Sequence, residues 1–181
     1  MTEQEKKLVN SGDADAPMRV LLTTDEADSL FLRQQSEDVD VVGIGLNRDL
    51  KKLIERMKAT LAQEEGAGLA AAQVGIARNI FLFVRVNDPD MPVQVAINPK
   101  IMKHPEEQIC FEGDGCLSIP DESGASMRYP WVEVEYYDQN GKCIRETLSG
   151  GSRETDYTGI IFQHEYDHLQ GVLFTDRLCE R

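Results

Sequence analysis

The sequence predicts an α+β fold: an antiparallel β-rich body packed around a C-terminal helix, with a second helix at about residues 49–64. Three observations predict it. Short runs rich in Val, Ile, Phe and Tyr recur through the middle of the chain, apolar residues recur at helical spacing from Leu50 to Leu61, and a helical segment near the C terminus carries two of only three histidines.

Taken in order, residues 1–17 are polar and aperiodic and read as a disordered or loosely attached extension, leaving 18–181 as the catalytic domain. The apolar Met18–Leu22 run suits a short strand or extended segment, followed by an irregular acidic stretch and the glycine-punctuated VVGIGL at 41–46. Asp49 is placed to cap the first long helix, on which Leu50, Leu53, Ile54, Met57 and Leu61 share a face. That helix is expected to end near Gly66, where glycine tolerates a positive φ, and a small-residue loop, GAGLAAAQVG, follows. NIFLFVRV at 79–86, VQVAINPKIM at 93–102 and WVEVEYYD at 131–138 read as strands, and DQNG at 138–141 supplies a turn into KCIRETL. After the loop GGSRETD, a last helix is expected over roughly 155–169, with Thr155 as its cap and Gly171 as its stop.

Composition narrows the function classes. A length of 181 residues suits one domain, and no apolar run approaches the roughly 18 residues of a membrane span. A net charge of −13 repels phosphate backbones and argues against nucleic-acid binding. The N-terminal stretch lacks an apolar signal core and is too acidic for a transit peptide, so a cytoplasmic location is expected. The four cysteines are accordingly expected to be reduced, with Cys110 and Cys143 as buried small hydrophobes and Cys179 in the tail.

The sharpest motif is His164-Glu165-Tyr166-Asp167-His168, an HExxH sequence inside the helical segment. One helical turn separates the two histidines on one face, so both imidazoles can reach a single ion, and Glu165 is offset by about 100° towards a bound water. Two ligands leave the site incomplete. Phe174 stands where a metzincin would carry its third histidine, and too little chain follows His168 for a helix to present a glutamate. Among the remaining soft ligands Cys116 stands out, set in DGCLSIP between glycine and a probable turn. A Cys-His-His set keeps a fourth position open, the layout of a catalytic centre.

Three segments together, GAGLAAAQ (66–73), DGCLS (114–118) and QHEYDH (163–168), resemble the peptide deformylases. The resemblance runs from about Met18 to Leu178. It implies hydrolytic removal of the formyl group from the N-terminal methionine of nascent chains, with Cys116, His164 and His168 as ligands to one Fe(2+), for which Ni(2+), Co(2+) or Zn(2+) substitute. Glu165 is implied as general acid/base, and Gln73 with the Leu117 backbone N–H as oxyanion donors. Gly66, Gly68, Ala70 and Ala71 would form a tight wall that admits only formyl, Ile160, Ile161 and the Leu117 region would receive the methionine side chain, and Ala67 and Gly115 would also contact substrate. The partners implied are N-formylmethionyl peptides and the ribosome near the nascent-chain exit. Asp114 stands where the family often has glutamate, which puts the rigidity of the cysteine loop in question. Two rival readings are a zinc peptidase of HExxH type and a non-catalytic metal-binding module.

Overall fold

The computed structural model describes residues 1–180. Helices α1 (Glu3–Val9), α2 (Glu26–Leu32) and α3 (Arg48–Gln63) precede strands β1 (Gly68–Ala70), β2 (Ile80–Val84), β3 (Val93–Lys103), β4 (Ile109–Cys116), β5 (Ile119–Arg128), β6 (Trp131–Tyr137) and β7 (Cys143–Ser149), and α4 (Thr158–Leu169) closes the sequence of long elements. Five strands form an antiparallel sheet in the order β1-β2-β3-β6-β7, and β4 pairs with β5 as a separate hairpin.

The sheet is sandwiched where it matters. On β2, Ile80 and Leu82 face a core shared with Leu50, Leu53, Ile54, Met57 and Leu61 of α3, while Phe81 and Phe83 face the other core, shared with Ile161, Phe162 and Leu169 of α4. Burial on both faces explains why IFLFV shows no alternation. β6 does alternate: Val132, Val134 and Tyr136 point at α4 and are fully buried, whereas Glu133 and Glu135 lie partly exposed between them. Phe162 lies edge-on to Phe81 and Phe83, with ring centroids 4.8 and 5.4 Å apart, which fixes α4 against the sheet.

Eleven of the twelve residues of α4 are buried, so this helix runs through the core instead of covering it. Its first turn crosses β7 closely. A Cβ on Gly159 would lie 2.7 Å from the Leu148 carbonyl oxygen, which only a glycine avoids. The helix begins three residues later than Thr155, whose hydroxyl instead accepts from Ser152 N–H at 3.2 Å; Asp156 Oδ1 accepts from Thr158 N–H at 2.8 Å. At α3 the cap is Asn47, accepting from Leu50 N–H at 3.0 Å, and not Asp49. The positive φ at its end falls on Glu65 (52°), not Gly66. Gly66 is small for another reason: a Cβ there would meet Leu61 and Leu117 side chains at 3.0 and 3.1 Å.

The N-terminal segment is not loose. Thr2 and Glu5 cap α1 reciprocally, Val9 is fully buried against α3, and Arg78 donates to Glu5 at 3.0 Å. Arg56 of α3 donates to the carbonyls of Leu8, Val9, Ala16 and Pro17, so one buried guanidinium satisfies both the C-terminal end of α1 and the irregular backbone that follows it. The acidic stretch also contains a helix, α2, capped by Asp25.

The cysteines depart from expectation as well. Cys110 on β4 and Cys179 in the tail are joined as a disulfide, because the tail returns along β5 and brings their Cα atoms to 6.0 Å. Cys143 is exposed on β7, where the strand's outward face leaves it nothing to pack on.

Since Val9 packs on α3, Val9→Ala should lower unfolding free energy by about 1–3 kcal/mol in urea titration. An unchanged midpoint would mean that residues 1–12 contribute no packing.

Candidate metal centre

The β4–β5 hairpin and α4 bring the three soft ligands together. Cys116 ends β4 opposite Ile119, so the two-residue turn Leu117-Ser118 fixes its position. His164 and His168 project from one face of α4, and ligand atoms of all three residues lie within 4.8 Å of one another. Cys116 Sγ is 3.3 Å from His168 Nε2. No other such group of His, Cys, Asp and Glu occurs among the described residues.

The shell around them is charged and almost dry. Asp114, 5% exposed, takes His164 Nδ1 at 2.8 Å on one oxygen and Ser126 Oγ and Arg128 Nη2 at 2.6 and 2.9 Å on the other. Arg128, 2% exposed, also donates to Asp167 Oδ2 at 2.6 Å, and Asp167 receives Arg177 Nη2 at 2.8 Å. The hairpin that carries Cys116 and the helix that carries both histidines are thereby joined through buried charge pairs. Asp114 thus ties the strand that ends in Cys116 to Arg128 and His164. Arg128 and Asp167 were not singled out from sequence, because the strand that carries Arg128 shows no apolar alternation and Asp167 sits at a variable position of the histidine motif.

Burial works against charge on both rings. For His164, hydrogen bonds to Asp114 and Cys116 overcome that penalty and hold its pKa well above the ordinary value, while His168 beside it is held well below. With Nδ1–H given to Asp114, His164 would present Nε2 to an ion that displaces its second proton, the usual arrangement behind a metal-ligating histidine. Asp114 itself is pulled far below the carboxylate range: burial opposes this, and His164 and Arg128 overcome it. Glu165 is raised to about 7 by burial, partly offset by His164. Its Oε2 is buried without a hydrogen-bond partner among the described residues. Gly68 makes room for this carboxylate, since a Cβ there would lie 2.4 Å from Oε1.

Gln73 is pinned on both sides of its amide. Oε1 accepts from Ala70 N–H at 2.9 Å, and Nε2 donates to Ser118 Oγ at 3.1 Å with Cys116 Sγ at 3.5 Å. The loop-stabilising role and a donor aimed at the centre therefore coexist in one side chain.

A cleft of about 1040 Å³ opens on the centre. Gly66, Ala67, Gly68, Gly115, Ile160 and Ile161 all line it, as do Gln73, Cys116, Leu117, His164 and Glu165. His168 lies behind, 1% exposed. Ala70 and Ala71 do not reach the cleft; both are fully buried in the two cores. Tyr157, Phe111 and Arg153 complete one wall and were not anticipated. Arg153 donates to Gly113 O at 3.0 Å and lies 5.5 Å from the Tyr157 ring centre.

A family model described as polypeptide deformylase matches residues 18–181. Similar proteins include peptide deformylase 2 of Nostoc sp., 40% identical over 136 residues (71% of this chain, 72% of that protein). The peptide deformylase of Chloroflexus aurantiacus is 35% identical over 172 residues (88% and 86%). Among solved structures, the Thermotoga maritima peptide deformylase superposes with a TM-score of 0.76 at 33% identity, covering 91% of this chain and 99% of that one. A Met-Ala-Ser-bound class I type b peptide deformylase from Acinetobacter baumannii does so with 0.77 at 28% identity, covering 91% and 99%.

Removing Asp114 would leave Arg128 short of a partner and His164 unoriented. Asp114→Ala should cost about 3–5 kcal/mol of stability and about 10–100-fold in metal affinity. Chelator competition on folded protein measures the second; unchanged affinity would show that Asp114 does not orient the ligand.

Proposed function

The chain belongs to the polypeptide deformylase family, and from that premise we propose that Cys116, His164 and His168 hold its metal and that Glu165, Gln73 and the Leu117 N–H carry out the chemistry. As a member it is a metal-dependent hydrolase that removes the N-formyl group from nascent polypeptides. The observation that carries the site assignment is the convergence of three soft donor atoms within 4.8 Å beside a buried carboxylate with an unpartnered oxygen.

A thiolate and two imidazoles fit a divalent ion of the iron, nickel, cobalt or zinc kind, and the single cluster implies one ion per chain. When bound, the ion supplies Lewis acidity, lowering the pKa of a coordinated water and polarising the formyl carbonyl. Fe(2+) is our choice among these ions, and metal analysis of protein purified without oxygen tests it.

The remaining work falls to the chain's own groups. Glu165 takes the proton from the attacking water at Oε2 and returns it to the departing amine, a double role suited to a carboxyl held near 7. Gln73 Nε2 bonds Ser118 through one hydrogen, and its longer contact to Cys116 leaves the second free to swing onto the oxyanion beside the Leu117 N–H. Both donors are neutral, so neither competes with the ion for charge.

Selection of formyl is steric. A Cβ on Gly68 would lie 2.4 Å from Glu165 Oε1, and one on Gly66 would press on the Leu61 and Leu117 side chains at 3.0 and 3.1 Å, so this stretch of backbone stays close to the Glu165 carboxyl. Little room is left beside it for an acyl group larger than formyl. Ile160 and Ile161, which line the cleft, receive the methionine side chain of N-formylmethionyl peptides. Action on nascent chains places the enzyme in the cytoplasm, with the ribosome near the exit as a candidate partner. A net charge of −13 makes protein, not RNA, the favoured contact there. Among the described residues no helix is long and apolar enough to cross a membrane.

Glu165→Gln should keep its metal and lose at least about 10²-fold in turnover of formyl-Met peptides. Near-normal turnover of metal-loaded Glu165→Gln protein would remove Glu165 from the mechanism. Acetyl-Met peptides should show kcat/KM at least about 200-fold below formyl-Met ones, lost mainly in kcat. Equal values would point to a general amidase or peptidase.

A further inference from the structure

We propose that Cys110 and Cys179 are a reversible oxidation site whose closure clamps the C-terminal tail across both elements of the metal centre and slows loss of the ion. The proposal rests on Cys116, His164 and His168 being the ligands.

The tail touches both the hairpin and the helix of that centre. Leu173 and Phe174 pack with Ile119 and Cys116, and the Phe174 ring stacks on His164 with centroids 6.3 Å apart. Arg177 pairs with Asp167, the acid that Arg128 links to Asp114. Leu178 then bridges to Ser126, and Cys179 N–H donates to Ala125 O at 2.9 Å, laying the tail along β5. The Cys110–Cys179 link closes a loop of 69 residues of separation, and Cys116, His164 and His168 all lie inside it. A covalent link across a loop of that size removes much of the freedom of the opened chain, so excursions that separate hairpin from helix become rarer.

The pair is reachable. Cys110 is exposed and Cys179 partly so, whereas Cys116 is turned into the site. Oxidation removes two electrons and two protons from the thiols: a peroxide accepts them and leaves as two waters, or a small disulfide exchanges and leaves as two thiols. In a reducing compartment such a link opens again, which makes it a reversible clasp and not a permanent staple. Exposed Cys143 on β7 has no cysteine partner and serves as an internal reference.

The test compares oxidised and reduced wild-type holoenzyme, so no variant needs to fold. After equilibration in glutathione buffers of stepped ratio, non-reducing peptide mapping should find the 110–179 link under conditions that leave Cys143 unlinked. The linked form should melt about 5–15 °C higher and release metal to a chromophoric chelator several-fold more slowly. Cys179→Ser should abolish both differences. The melting comparison is repeated on metal-free protein, so a wrong ligand assignment would spare that shift and remove only the chelator difference. Free thiols at 110 and 179 throughout the series, or equal melting of linked and reduced forms, would overturn the proposal.

Discussion

The run of alternating charge from buried Asp114, Arg128 and Asp167 out to the partly exposed Arg177 is the constraint on which the rest depends. It joins the hairpin, the last helix and the tail, three segments that share no backbone ladder with one another apart from the tail's bridge to β5. Charges so deep are costly to bury, and their pairing is weak evidence for stability as such. What they give is geometry. Arg128 presents a rigid fork, and each of its nitrogens has a defined acceptor on a different element: Ser126, Asp114 and Asp167. A slip of the helix or the hairpin by a fraction of a turn would strand one of these groups without a partner. The cluster of Cys116, His164 and His168 is therefore held in one arrangement.

Asp114 has a second duty that links this framework to reactivity. One of its oxygens answers Arg128 and the other takes the His164 Nδ1 proton, so the same carboxylate sets the position of the hairpin and the tautomer of a ligand. Ser126 Oγ, 2.6 Å from the oxygen that Arg128 also holds, completes the shell of the carboxylate.

Close approach accounts for the remaining shape. α4 passes through the molecule with almost no exposed face, which requires that β7 and the loop after α2 come near its ends without side chains in the way. Gly159 and Gly171 supply this: a Cβ on Gly171 would lie 2.3 Å from the Arg33 carbonyl oxygen, and the residue also holds a φ of 72°. Gly68 does the same at the centre, letting a buried glutamate sit against a strand. Function at this site thus depends as much on absent side chains as on the reactive ones.

Much of the site was legible from spacing alone. The histidine pair one turn apart, the glutamate beside it and the cysteine between glycine and a turn are local patterns, and the face of α3 and the strands β2, β3, β6 and β7 follow from apolar periodicity over a few residues. What the sequence hid has a common physical cause. α1 is held by Val9 and by Arg56, 47 positions away; α2 is a short helix without an apolar stripe; β4 and β5 satisfy each other across a hairpin whose register shifts obscure any alternation. Cys110 and Cys179 meet only because the tail returns along β5, and Arg128 finds its two acids only once hairpin and helix are packed together. By itself the sequence determined the histidine pair, the candidate cysteine and the main helices and strands, since those are set by neighbours in the chain. The tertiary structure decided which charges, thiols and terminal segments were partners, because such pairs are selected by long-range burial that no local pattern encodes.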